Sequence, residues 1–182
     1  MPSAAAHLGG ANYINQKLNL NSDEFLIGAI LPDIIDMDKT KSHYKIQGTY
    51  YLVPDLEYYS KHNDLSNMLN LGYYFHLYLD YYFLEDYLEY NTKRRDVFDS
   101  KDIYKDYDIL NKKINDYFNL DVKHITKLLS EYDDGNINKK KLDTNIRCIN
   151  CDLKGDLIIL DEKKFIKFIK VTSDKFIEDM KI

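Results

Sequence analysis

Residues 69–84 read LNLGYYFHLYLDYYFL. A run this apolar must be enclosed by the rest of the chain, yet it is shorter than the ~20 residues that cross a bilayer. It belongs to the longest and most apolar element of the chain, so it reads as a central helix. The feature predicts an all-α fold: a single-domain helical bundle wrapped around one long central helix. That helix is capped by Asp64 or Ser66 and runs to about Tyr90. Two residues inside the run resist this simple reading. His76 and Asp80 stand four apart, on one helical face, among Tyr, Phe and Leu.

The remaining periodicity is helical almost throughout. A first helix over 3–19 follows Pro2 and Ser3, with Gly9 and Gly10 marking a weak point or a close approach of another backbone. Asn21, Ser22 and Asp23 offer caps for the short segment EFLIGAIL, which Pro32 ends. The stretch PDIIDMDKTKSHYKIQG has no period and reads as a long surface loop. Pro54 opens PDLEYYSKHN as a helix. After a charged break at 91–100, helices are predicted over 101–118, 121–133, about 139–150, and from about Asp161 to Met180. The piece DLKGDLIIL is ambiguous: LIIL has strand character but no strand partner. The domain reading is thus 1–182 as one helical unit, with 1–90 as the metal-site half and 91–182 as a helical part of unassigned role.

Composition enters through what it excludes. The chain is 45% hydrophobic and 30% charged, which argues against disorder. Net charge is −5 and no basic face emerges, which argues against duplex nucleic acid. The stretches NTKRRD at 91–96 and NKKK at 138–141 read as solvated loops. No signal peptide or spanning helix is visible, so the expected location is the cytoplasm. Cys148 and Cys151 form a lone CxxC, half a zinc site at most, and read as two reduced thiols. The tyrosines, including Tyr13, Tyr44, Tyr73 and Tyr74, read mainly as core.

An ionised Asp among aromatics costs several kcal/mol unless it is paired or neutralised. Near Asp80 in sequence, Lys61 and Lys93 are more than two helical turns away. A divalent ion gathering several N and O donors resolves the conflict. The candidates are His7 in the first helix, Asp33 after Pro32, His43 in the loop, and His76 with Asp80. All five meet at one end of the bundle if the first and central helices are neighbours. His62, with Asp64 nearby, is a further candidate but reads better as a solvated helix end, and His124 as surface.

In order and spacing, MPSAAAHL, FLIGAILPD, KSHY and LGYYFHLYLD resemble the zinc-dependent phospholipase C family, whose fold the fungal single-strand nucleases share. The resemblance covers about residues 1–90. It implies an all-α fold, with Asp33, His43, His76 and Asp80 holding one ion and His7 helping to hold a second across a bridging Asp80. A third ion, which that family holds with two more histidines and a Glu, is not expected. Beyond Asp80 come Glu85, Asp86 and Glu89 but no histidine before His124. The expected cofactor is zinc or another divalent transition metal, one or two ions. The implied activity is metal-dependent hydrolysis of a phosphomonoester or phosphodiester through a metal-activated water, which Asp33 orients or deprotonates. The expected partner is a small phosphate ester or a phospholipid head group. The competing expectation is a non-catalytic helical scaffold with a structural ion or a degenerate site. An HD-type nucleotide phosphohydrolase is disfavoured, because no adjacent His-Asp pair occurs.

Overall fold

The computed structural model describes residues 1–88 and 100–181. Helices α1 (Ala4–Lys17), α2 (Asp23–Gly28), α3 (Leu31–Ile34) and α4 (Lys39–Ser42) lead into a two-stranded antiparallel hairpin, β1 (Lys45–Gln47) and β2 (Leu52–Pro54). Then follow α5 (Leu56–His62), α6 (Met68–Tyr82), a π-helical turn (Phe83–Tyr87), α7 (Ser100–Tyr117), α8 (Val122–Glu131), α9 (Lys139–Ile149) and α10 (Glu162–Met180). The fold is all-α, with the hairpin as its one sheet among the described residues. None of the described helices is long and apolar enough to cross a membrane.

Polar residues start the helices as capping chemistry requires. Ser3, Ser22, Asp55, Asn67, Asn138 and Asp161 each accept a backbone N–H of the first turn. Helix α6 is the central element: Phe75, Leu77 and Leu79 are fully buried. Its cap is Asn67, not Asp64 or Ser66, because Asp64 is occupied with the turn through Ser66. Its α-helical part ends at Tyr82, and the π-helical turn continues it. Glu89, Tyr90, Lys93 and the NTKRRD stretch lie outside the described residues.

Two hydrophobic clusters fill the molecule, and α1 lies between them. Ala4, Leu8, Ala11 and Ile14 join the cluster around α2 and α6. Ala5 and Ala6 join the other, built by the π-helical turn, α7 and α10. The small side chains around His7 let this helix sit deep between both. Gly9 and Gly10 meet side chains rather than another backbone: Ile114 and Phe118 at one, Phe75 and Ser173 at the other.

Helices α2 and α6 cross at close quarters. A Cβ on Gly28 would stand 2.1 Å from the Leu69 carbonyl oxygen, and one on Gly72 would stand 2.1 Å from that of Phe25. Only two glycines facing each other permit this crossing, and it brings the Ala29 carbonyl against His76.

The segment after Pro32 is not a free surface loop. It contains α3, α4 and β1; Pro54 ends β2 opposite Lys45, and the helix expected over PDLEYYSKHN starts two residues later at Leu56, capped by Asp55. The aperiodic sequence hid short elements, each only three or four residues long, below the reach of periodicity. Residues 34–37 also pair with the segment before α9: Asp36 N–H donates to the Asn136 carbonyl at 2.7 Å, and Asn138 N–H to that of Ile34 at 2.8 Å. NKKK is not a solvated loop either. Asn138 caps α9, and the Lys141 ammonium donates to the carbonyls of Ile35 and Met37 at 2.9 and 2.7 Å.

LIIL forms no strand. Its backbone N–H groups at Ile158, Ile159 and Leu160 donate to the buried Asp106 carboxylate on α7, at 2.8, 2.7 and 2.7 Å. A side chain takes the place of a strand partner.

Candidate metal centre

Five side chains converge where α1, α3, the end of α4 and α6 meet. His7, His43, His76 and Asp80 are fully buried, and the Asp33 side chain is 11% exposed. His43 Nε2 lies 3.2 Å from His76 Nε2, 3.4 Å from Asp33 Oδ1 and 3.7 Å from Asp80 Oδ2. His76 Nε2 is 3.8 Å from the same Asp80 oxygen. On the other side of that carboxylate, His7 Nε2 stands 3.3 Å from Oδ1. The His7 and His76 rings stack with centroids 3.7 Å apart.

Each donor is aimed by its element. His76 and Asp80 are one turn apart on α6, as their spacing requires. The His76 Nδ1–H donates to the Ala29 carbonyl at 2.8 Å, since a carbonyl oxygen can only accept. In the neutral ring the lone pair is therefore on Nε2, facing His43 and Asp80. His43 caps α4, and its Nδ1 is paired with Ser42 Oγ at 2.8 Å. The Tyr73 hydroxyl donates to the Ser42 carbonyl, so α6 also anchors the segment that carries His43. His43 was expected in a surface loop; it is buried because α4 and this tether fold the segment inward.

The electrostatics keep His76 neutral and both carboxylates ionised. Burial, and then His7, push His76 down to about 3, so it is neutral at ordinary pH. Burial would raise the Asp80 carboxyl, but His7, His76 and His43 outweigh it and hold it below the usual carboxylate range. Burial acts the same way on Asp33, where His43, His76 and Lys39 prevail and keep it ionised. Both oxygens of Asp80 and both ring nitrogens of His7 nevertheless lack a hydrogen-bond partner. The close His7–Asp80 approach is misaligned for one. A buried carboxylate in that state costs several kcal/mol.

These donors fit a divalent ion. Four ligands at about 2.0–2.2 Å in a tetrahedron stand about 3.3–3.6 Å from one another. The separations among Asp33, His43, His76 and Asp80 given above straddle that range. Two trios, His7 with Asp33 and His76, and His43 with His76 and Asp80, keep all their ligand atoms within 4.8 Å of each other. The buried His and Asp groups could hold a metal ion. Among the described residues, clusters of three or more such donors are drawn from these five alone.

Comparison with protein-family models, curated proteins and solved structures finds no match to this chain.

The other candidates stand apart. His62 is exposed, stacks on Tyr58 and donates from Nδ1 to the Tyr58 carbonyl. His124 pairs with Asp23 at 2.8 Å on the surface. Glu85 accepts from the Thr49 N–H of the hairpin. Cys148 and Cys151 are free and half-buried. Tyr73 is buried, and Tyr13, Tyr44 and Tyr74 are partly so.

Sequence reasoning missed the supporting residues. Lys39 lies 3.3 Å from Asp33 Oδ1, and nothing local marks it among its neighbouring lysines. Ser42, adjacent to His43, was the more readable of the two. The Gly28 and Gly72 pair was the available signal that α2 and α6 cross closely. A cavity of about 570 Å³ opens beside the cluster, with Asp33, Lys39 and Ser42 on one side and α9 on the other.

Proposed function

We propose that the chain is a metal-dependent phosphoric ester hydrolase of the kind that its N-terminal half resembles. The observation that carries this reading is the Asp80 carboxylate, buried between three imidazoles with neither oxygen hydrogen-bonded. Asp33, His43, His76 and Asp80 would hold one ion, and His7 would share Asp80 with a second. A bound divalent ion supplies Lewis acidity, polarising a phosphoryl oxygen and acidifying a water.

The chain's own residues do the rest. The Ala29 carbonyl and Ser42 fix the ring orientations of His76 and His43. The apolar surroundings exclude bulk water and strengthen every charge interaction in the site. Asp33 is the one carboxylate of the five at the boundary with the cavity. Held so far below the usual carboxylate range, it is a poor proton acceptor at neutral pH and serves better to orient the attacking water. Lys39, beside it, offers an ammonium to a phosphate oxygen.

Against the scaffold reading, with a closed structural ion, stands Asp33: alone of the five it lines the cavity, which gives a route to an open coordination position. Metal analysis of the purified protein separates the two, together with turnover of p-nitrophenyl phosphate and bis(p-nitrophenyl) phosphate. The expected result is about one to two transition ions per chain, with turnover lost on chelation and in His76→Ala. A protein that purifies without metal and takes up none on titration rules out the hydrolase and the structural ion, and leaves a scaffold with a degenerate site. Bound metal without turnover leaves the scaffold.

A further inference from the structure

The cavity beside the cluster is cationic on a chain that is acidic overall. Lys39, Lys140, Lys141 and Arg147 line it, against the carboxylates of Asp33 and Asp108. Two of the cations are already engaged: Lys39 with Asp33, and Lys141 with two backbone carbonyls. Lys140 and Arg147 differ. Among the described residues, neither has a carboxylate within ion-pairing distance.

Their placement on α9 is regular. Positions 140, 144, 147 and 148 recur at helical spacing on the face that lines the cavity. Seven residues of helix separate Lys140 from Arg147 by about 10 Å along the axis. The face is rigidly mounted. The Asn111 and Asn115 side chains on α7 donate to the Cys148 and Ile149 carbonyls at 2.9 and 2.7 Å. Asn111 in turn accepts from the Ser3 hydroxyl at the start of α1. At its other end, α9 is tied to residues 34–37, next to Asp33. The volume, about 570 Å³, is that of a site for a whole small molecule rather than for an isolated phosphate.

We propose that α9 carries a second anion subsite, and that the substrate is a phosphoric ester bearing a further phosphate, which Lys140 and Arg147 receive while the reacting group lies against Asp33 and Lys39. The assignment of the reacting group rests on the hydrolase reading; the subsite itself does not. A guanidinium and an ammonium on one face suit a phosphate dianion, the guanidinium through paired N–H donors. The lysine-rich turn at 139–141 then has a role that its sequence alone did not reveal.

Binding rather than turnover tests the subsite. The probes are a hexose bisphosphate and the matching hexose monophosphate, titrated calorimetrically into the metal-loaded full chain at about 0.1 M salt. Wild type is expected to favour the bisphosphate by about tenfold or more. The double variant Lys140→Gln, Arg147→Gln is expected to lose that preference while keeping its metal content and melting temperature. Arg147→Lys retains the charge but not the paired donors, and should keep part of it. Equal affinities in wild type, or a preference that survives in the double variant, would overturn the proposal. Bisphosphate preference without turnover of either nitrophenyl ester would remove the hydrolase reading and leave the subsite standing.

Discussion

Asp80 on α6 and Asp106 on α7 are both fully buried carboxylates, and they have opposite surroundings. Asp106 accepts three backbone N–H groups from residues 158–160. Asp80 sits between three imidazoles, and neither oxygen has a hydrogen-bond partner. The first is a structural clamp that supplies an irregular segment with the acceptors a strand would have provided. The second carries an unmet demand for positive charge. Burial of an acid is therefore not in itself a sign of function; the sign is burial without partners.

Mutating each acid breaks or sharpens this contrast. The largest effect is expected for Asp106→Ala, which strands three amides in the interior. Chemical denaturation should show a loss of about 3 kcal/mol or more, the same with and without added metal. A loss below about 1 kcal/mol would mean that the segment finds other acceptors and the clamp is dispensable.

Asp80→Asn should behave differently. It removes a buried charge that has no hydrogen bond but is favoured by the three imidazoles around it, so metal-free stability should fall by about 1–2 kcal/mol, less than Asp106→Ala costs. What disappears is the stabilisation that zinc gives, roughly 2–4 kcal/mol at ligand well above its dissociation constant. Melting curves with and without zinc read both quantities. A large metal-free loss would place Asp80 beside Asp106 as a structural acid.

A third acid sets the lower bound. Asp174 on α10 is partly exposed and pairs with Lys17, Lys170 and the Tyr13 hydroxyl. Burial raises its carboxyl, but the Lys17, Tyr13 and Lys170 contacts prevail and hold it at about 2, below the ordinary 3.8. A depressed folded value means that the contribution is complete above the unfolded pKa and lost as pH falls from about 4 through 2. Asp174→Asn should cost less than about 1 kcal/mol at neutral pH and nothing below pH 2. A larger cost would show that partial exposure screens this network less than expected.

The same contrast explains what the sequence could disclose. His76 and Asp80 were readable because two polar residues one turn apart interrupt an apolar helix, and nothing else in that run competes for explanation. The helices over 101–118, 139–150 and 161–180 were readable from periodicity and lie within a residue of their observed bounds. Asp106 was not readable: on an amphipathic helix rich in Asp and Lys, one more acid looks solvated until the segment it grips folds over it. The hairpin and α4 escaped because each is too short to show a period. The cavity wall escaped because it joins residues more than a hundred positions apart, Asp33 and Lys39 with Lys140 and Arg147.

The Lys141 ammonium, gripping the carbonyls of Ile35 and Met37, joins the two halves of the chain at one turn of α9. Its neighbour Lys140 faces the cavity. One strut thus bears both the surface that a solute touches and the backbone beside Asp33. Any push on that strut is delivered to the backbone at Ile35, two residues from the carboxylate.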